Sequence, residues 1–338
     1  MTIESLKPYL GDLAHLYDQS SDDKGSYIHP KLRNLGTVSV VLVREIVAPA
    51  VFRNQEAEIT DIAVDADIDG QAVRKRFVRA VPNKFKHKER ANGLKLLRHF
   101  KAGGAYPQNR NAIPEKAPVS QAFDLNSLVF GDSANQGKRV LPVKAAVLYS
   151  DGLGLVPYED AVDKTFHNRA SEDGSLFDAA SKQNSNNLFE RHFVKPGTLM
   201  VQVVSTSGRI LPLEGFDHLM LCLGLSGAYG GQTSVTGVNV RTHVAGIYAS
   251  LLEQPETSPY HIAARIEGSD VDRVCAEIHG MLAPVHEVAL DRAAAEAYRA
   301  RLVAELTEGG QRLEAAYAKA AQDVGDLFEQ WFNPRKAG

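Results

Sequence analysis

Residues 73–101 carry eleven basic side chains and one acidic one: Arg74, Lys75, Arg76, Arg79, Lys84, Lys86, Lys88, Arg90, Lys95, Arg98 and Lys101 against Glu89. The net charge of the whole chain is −3. Its flanks are acidic, with six basic and twelve acidic side chains over 1–72 and six and eleven over 272–332. A concentrated cationic patch inside an acidic chain is what a polyanion senses, because local potential rather than the sum steers association. Phe77, Phe85 and Phe100 interleave with those cations, a mixture suited to phosphates and unstacked bases. The competing interpretation is a solvated basic helix face.

Two further segments have binding chemistry. Gly224, Gly227, Gly230, Gly231 and Gly237 cluster within 224–237 beside the uncharged donors Gln232, Thr233 and Ser234. Clustered glycines let a backbone approach a ligand closely and offer free N–H groups to an anion; a tight helix-to-strand loop would look the same. Residues 163–169 combine Lys164, Phe166, His167, Asn168 and Arg169, which suits unstacked bases and phosphates or an ordinary polar hairpin.

Catalytic constellations are harder to find. Residues 131–138, GDSANQGK, imitate a phosphate-binding P-loop. Five residues rather than four separate the glycines, however, and Arg139 stands where Ser or Thr must hold magnesium. Asp61, Asp65, Asp67 and Asp69 could hold a divalent metal for phosphodiester cleavage, although their alternation equally suits the solvated face of a strand. His87 and His99 lack partners at metal spacing. No HExxH, GxSxG or EF-hand pattern occurs, so the expected chemistry is binding, with no cofactor and no catalytic metal.

These segments must be held by a scaffold. Residues 36–48 are β-branched and bounded by Gly36 and Pro49, and predict a buried strand. Further strands are expected over 140–149, 198–205 and 242–249, and a short amphipathic helix over 213–225. The pattern turns helical after Ser269, the expected cap of a helix ending at Met281; two more helices, 291–308 and 311–332, flank Gly309 and Gly310. The 338 residues, 44% of them hydrophobic, suffice for a sizeable core. Strands separated by insertions of tens of residues suggest an α+β palm with protruding arms. The expected division is a palm over 36–60, 125–160 and 193–250, a basic finger region over 61–124, an arm over 161–192 and a helical region over 251–332. Cys222 and Cys275 lie in apolar contexts and predict reduced, buried thiols. The first 25 residues lack a signal-peptide pattern, and the apolar runs are too short to span a membrane. A cytoplasmic location is expected.

The order LVFGD (128–132), LPVKAAVLYSD (141–151), VDKTFHNRASEDGSLFD (162–178) and LFERHFVKPGTLMVQVVS (188–205) resembles the RAMP-superfamily backbone subunits of CRISPR surveillance complexes. The run GLSGAYGGQTSVTGVNVRTHVAGIYA (224–249) is similar to the backbone subunit of the type I-D complex, a Cascade. The resemblance covers about residues 35–250 and implies a ferredoxin-like, RRM-type palm, helical fingers and a thumb hairpin. It also implies partners: the guide RNA, target DNA as the guide's paired strand, further copies of the chain and other subunits of the complex. The candidate RNA-binding set is therefore Phe52, Arg53 and Asn54 after the first strand; Arg74, Lys75, Arg76 and Lys84 in the basic run; Lys164, His167, Asn168 and Arg169 in the arm; and Gly230, Gly231, Gln232, Thr233, Ser234 and Arg241 around the glycine loop. Related type III subunits cut target RNA with an aspartate in the loop after the first strand, and here residues 48–55 contain none.

The leading expectation is a non-catalytic, RNA-coating structural subunit. The alternative is a backbone subunit that also cleaves target RNA through Asp61 or a neighbouring carboxylate. A third, a small-molecule or nucleotide-utilising enzyme on a ferredoxin-like fold, is disfavoured by the failed P-loop and the lack of a catalytic constellation.

Overall fold

The run at 36–48 forms strand β1 (Thr37–Ile46), and its residues are buried on both faces. Val38, Val40 and Leu42 enter one core cluster while Val41 and Val43 enter another. Two-sided burial explains why the strand is continuously apolar instead of alternating. The structure, a computed structural model, describes residues 2–11, 35–52, 61–68, 70–104, 112–168, 177–178, 183–184, 188–206, 208–230 and 237–333.

After β1 come the hairpin β2 (Asp61–Ile68) and β3 (Gln71–Ala80), then the basic helix α1 (Asn83–His99). A small region follows: β4 (Ala112–Ile113), α2 (Leu125–Phe130), β5 (Asp132–Gln136) and β6 (Arg139–Val143). Next are β7 (Val147–Tyr149), β8 (Gly152–Pro157), the single turn α3 (Tyr158–Ala161) and β9 (Val162–Asn168). The pieces β10 (Phe177–Asp178) and β11 (Gln183–Asn184) precede β12 (Leu188–Val194) and β13 (Leu199–Thr206). The chain continues through α4 (Leu213–Gly224), β14 (Val240–Ser250), α5 (Pro259–Arg265), α6 (Val271–Leu282), β15 (Val288–Asp291), α7 (Arg292–Thr307) and α8 (Gln311–Phe332).

An eight-stranded antiparallel sheet runs β15-β14-β1-β13-β8-β3-β2, with β7 also paired to β13. The fold is thus a mixed α+β architecture. One face carries α1, α2, α4, α7 and α8, the other α5 and α6. Both thiols are buried, Cys222 in the first layer and Cys275 in the second. Where α1 passes α4, Gly93 is required: a Cβ there would lie 2.7 Å from Nε2 of His218. Among the described residues, no helix is long and apolar enough to cross a membrane.

Four expectations change. Residues 61–80, assigned to a separate finger region, extend the main sheet as β2 and β3. The expected strand over 140–149 is two strands in two sheets, because Lys144 to Ala146 turn the chain. Asp270 rather than Ser269 caps α6, accepting from the Arg273 amide at 2.7 Å. The last two helices, expected as a tail, belong to the main core through Tyr298, Leu302, Leu313, Tyr317 and Phe328. The P-loop imitation is the β5–β6 hairpin, with Gly137 at φ 58° in its turn.

Candidate nucleic-acid interface

A small third core gathers the segments that sequence singled out separately. It contains Ile46, Ala50, Phe52, Val78, Phe85, Ala161, Val194, Tyr229 and Val240. Phe52 precedes Arg53 and Asn54, Phe85 follows Lys84, Tyr229 precedes Gly230, and Val240 precedes Arg241. Ala161 and Val194 flank the arm. Burying these apolar neighbours in one place fixes the bases of all five segments relative to one another. The Phe85 ring sits between Phe52 and Tyr229, with centroids 5.2 and 5.4 Å away.

Phe52 is therefore corrected: its side chain is fully buried, so it supports the surface from beneath and presents no face to a base. Phe77 and Phe85 are buried too, and Phe100 stacks on Tyr317 at 4.6 Å. The aromatic interleaving of the basic run is core packing, set by the strand and helix periods.

The arginines of that run are committed to partners. Arg74 binds Asp65 through Nη2 at 2.7 Å and Nε at 3.1 Å. Lys75, on the opposite face of β3, reaches Glu267 at 3.0 Å. Arg76 contacts Asp61 at 2.5 Å and Glu159 at 3.1 Å and lies over the Tyr158 ring. Arg79 meets Asp151 at 2.9 Å, and Arg90 meets Asp132 at 2.9 Å. Across the β2–β3 ladder, Asp65 thus balances Arg74 directly opposite it, and Asp61 balances Arg76 on the diagonal.

The lysines of α1 are different. Lys84, Lys86, Lys88 and Lys95 have no ion pair among the described residues. Lys84, Lys88 and Lys95 are spaced i, i+4, i+11, so they share one helix face, turned about 100° from the buried stripe of Phe85, Glu89 and Leu96. Burial lowers the affinity of Lys84 for its proton, and burial together with Arg90 does the same at Lys86. Partly desolvated ammonium groups without a counter-charge gain from an arriving anion.

Lys164 is exposed on β9, which pairs antiparallel with β12. His167 lies opposite Phe189 and Asn168 opposite Leu188 in that register. Gly230, at φ 113°, lies so near β1's exit that a Cβ would sit 2.9 Å from the Val51 carbonyl oxygen. Arg241 is exposed and pairs with Glu45 at 3.2 Å, and Glu45 also meets His243 at 2.9 Å. Arg53, Asn54, Arg169, Gly231, Gln232, Thr233 and Ser234 lie outside the described residues.

Sequence reasoning missed a buried ion pair. Arg44 on β1 and Glu89 on α1 are both completely buried, with Nη2 2.8 Å from Oε1. Arg44 also donates to Gln202 Oε1 (3.1 and 2.8 Å), Thr242 Oγ1 (2.7 Å) and the Tyr229 hydroxyl (3.2 Å), so all five guanidinium N–H groups have acceptors. Glu89 accepts from Tyr229 at 2.8 Å and from Tyr149. Burial opposes the charge on Arg44, but Glu89 and the neighbouring tyrosines outweigh it and raise its affinity for the proton. The available signal was a charged pair, Arg44-Glu45, closing an otherwise apolar run, and a lone carboxylate among the cations of α1.

A family model described as Csc2 Crispr matches residues 27–330. The chain belongs to the Csc2 CRISPR family. Membership makes it a backbone-type subunit of a Cascade-class CRISPR surveillance complex. Its fold is similar to the crystal structure of Thermofilum pendens Csc2, at TM-score 0.63 and 17% identity, covering 99% of this chain and 96% of that one. Weaker likenesses are a chain of a CRISPR RNA-guided surveillance complex (TM-score 0.45, 12% identity, 78% and 98% covered) and one of a type IV-B CRISPR complex (0.41, 14%, 66% and 96%). No curated protein sequence matches the chain.

Proposed function

We propose that this protein coats the guide RNA of a type I-D surveillance complex, with copies stacking along the RNA in the cytoplasm and the guide's paired target DNA lying against the assembly. It acts by binding and not by turnover. The observation that carries this reading is the face of α1 bearing Lys84, Lys88 and Lys95, unpaired among the described residues, beside the small core where the other candidate segments converge. A guide's spacer varies, so its coat must read backbone and shape rather than base edges.

A ferredoxin-like palm is supported by the order β14-β1-β13-β8, with α1 and α4 in the two connections. Target cleavage through Asp61 is disfavoured because Arg76 already engages that carboxylate.

The test is titration of fluorescent single-stranded RNAs of unrelated sequence at graded salt. Similar affinities are expected for all, with log K falling linearly against log salt by about 0.7 per phosphate contacted. An affinity indifferent to salt would refute the reading.

A further inference from the structure

Buried salt bridges are weak contributors to stability, since desolvation consumes most of their attraction. The Arg44–Glu89 pair stands in the middle of an apolar sheet-and-helix contact, so its use must be sought in what it orients. Glu89 follows Lys88 directly and Lys84 by five residues, so it is turned about 100° and about 140° round α1 from them and points into the protein. Its Oε1 receives both Arg44 and the Tyr229 hydroxyl, while its Oε2 receives Tyr149.

Tyr229 is held a second way. Its backbone N–H donates to Asn239 Oδ1 at 2.8 Å, and its carbonyl accepts from Asn239 Nδ2 at 2.9 Å. Asn239 is itself fixed to Gly227 and to Val47 through backbone hydrogen bonds of 2.9 Å each. Tyr229 and Asn239 therefore form the stem of the glycine-rich segment, and the tyrosine ring crosses from that stem to the carboxylate of α1.

We infer that Glu89, through the Tyr229 hydroxyl, is a positioning residue that sets the lysine face of α1 in register with the stem of the glycine-rich segment. This rests on the reading that RNA follows that lysine face. A leucine at 89 would fill the same space but would not select one orientation of the Tyr229 hydroxyl. Two hydroxyls meet one carboxylate, and only Tyr229 belongs to the stem, so the molecule supplies its own control.

The experiment measures the salt dependence of binding to a uridine homopolymer for the full chain, Tyr229→Phe, Tyr149→Phe and a Lys84→Gln/Lys88→Gln/Lys95→Gln variant, alongside thermal melting. Each phenylalanine variant removes one hydroxyl from Glu89, so both should melt slightly earlier. Tyr229→Phe should also flatten the log–log salt slope by about 0.7 or more, one phosphate's worth for a single strand. Tyr149→Phe should keep the parental slope. If both tyrosine variants change the slope alike, or neither does while the lysine variant flattens it, the inference is overturned and the RNA reading survives. If the lysine variant keeps the parental slope, the RNA reading fails and takes the inference with it. Should Tyr229→Phe not fold, Asn239→Ala loosens the same stem without adding a charge and is held to the same slope criterion.

Discussion

His218 shows how completely one residue can be specified by its surroundings. It is fully buried on α4, its Nδ1 2.8 Å from the Tyr317 hydroxyl and its Nε2 3.0 Å from Asn126 Oδ1. An amide oxygen can only accept, so Nε2 carries the proton and Tyr317 donates to Nδ1. Burial pushes the histidine from its ordinary 6.5 down to about 3. The unfolded chain takes up a proton below pH 6.5 that the folded chain refuses, so this residue's contribution falls as pH drops from 6.5 towards 3, by up to about 1.4 kcal/mol per pH unit. Urea melts at pH 7 and pH 5 should show the parent losing more stability than His218→Gln; equal losses would remove His218 as the acid-sensitive element.

At the scale of elements, the basic run resolves into two parts with different expected behaviour. Arg74 and Arg76 on β3 are balanced by β2, and lysines on α1 are not balanced among the described residues. Changing Lys84, Lys88 and Lys95 to glutamine should therefore flatten the salt slope of RNA binding by up to about 2, at roughly 0.7 each. Changing Arg74 and Arg76 to glutamine should alter the slope less, since their charge is already spent on Asp65 and Asp61. Fluorescence titration of both variants decides it, and a larger effect from the arginines would reverse the assignment. This division could not be read from sequence spacing. The carboxylates that neutralise Lys75 and Arg79, at Glu267 and Asp151, are brought from distant segments by the fold. Period and turn chemistry were legible: the strand at 36–48 and the helices at 291–308 and 311–332 lie within about two residues of β1, α7 and α8. The break within 140–149 was not legible, because local β-propensity cannot say which sheet a strand joins. The candidate segments were legible individually, but their convergence on Phe52, Phe85 and Tyr229 is a product of tertiary packing.

For the whole molecule, the arm is attached through a narrow base. Val162 and Val194 pair at the foot of β9 and β12, and Val194 exchanges backbone hydrogen bonds with Ala50 (3.2 and 2.8 Å). Cutting the hairpin above that foot should leave the sheet intact. Replacing residues 164–192 with Asn-Gly joins the paired positions Asp163 and Phe193 through the two-residue turn that antiparallel strands favour. The shortened chain is expected to melt near the parent and bind short RNA, yet fail to form the parent's higher assemblies on long RNA in sedimentation velocity. Undiminished assembly would show that copies meet elsewhere.

The two cysteines sit in different layers. Cys222 is inaccessible on the α4 side of the sheet and Cys275 nearly so on the α6 side, and burial holds both thiols in the unreactive protonated form. A thiol reagent can reach either one only when its layer opens, so labelling rates time local opening on each side separately. The native chain thus contains a stopwatch on either face of its sheet, able to report which face loosens first.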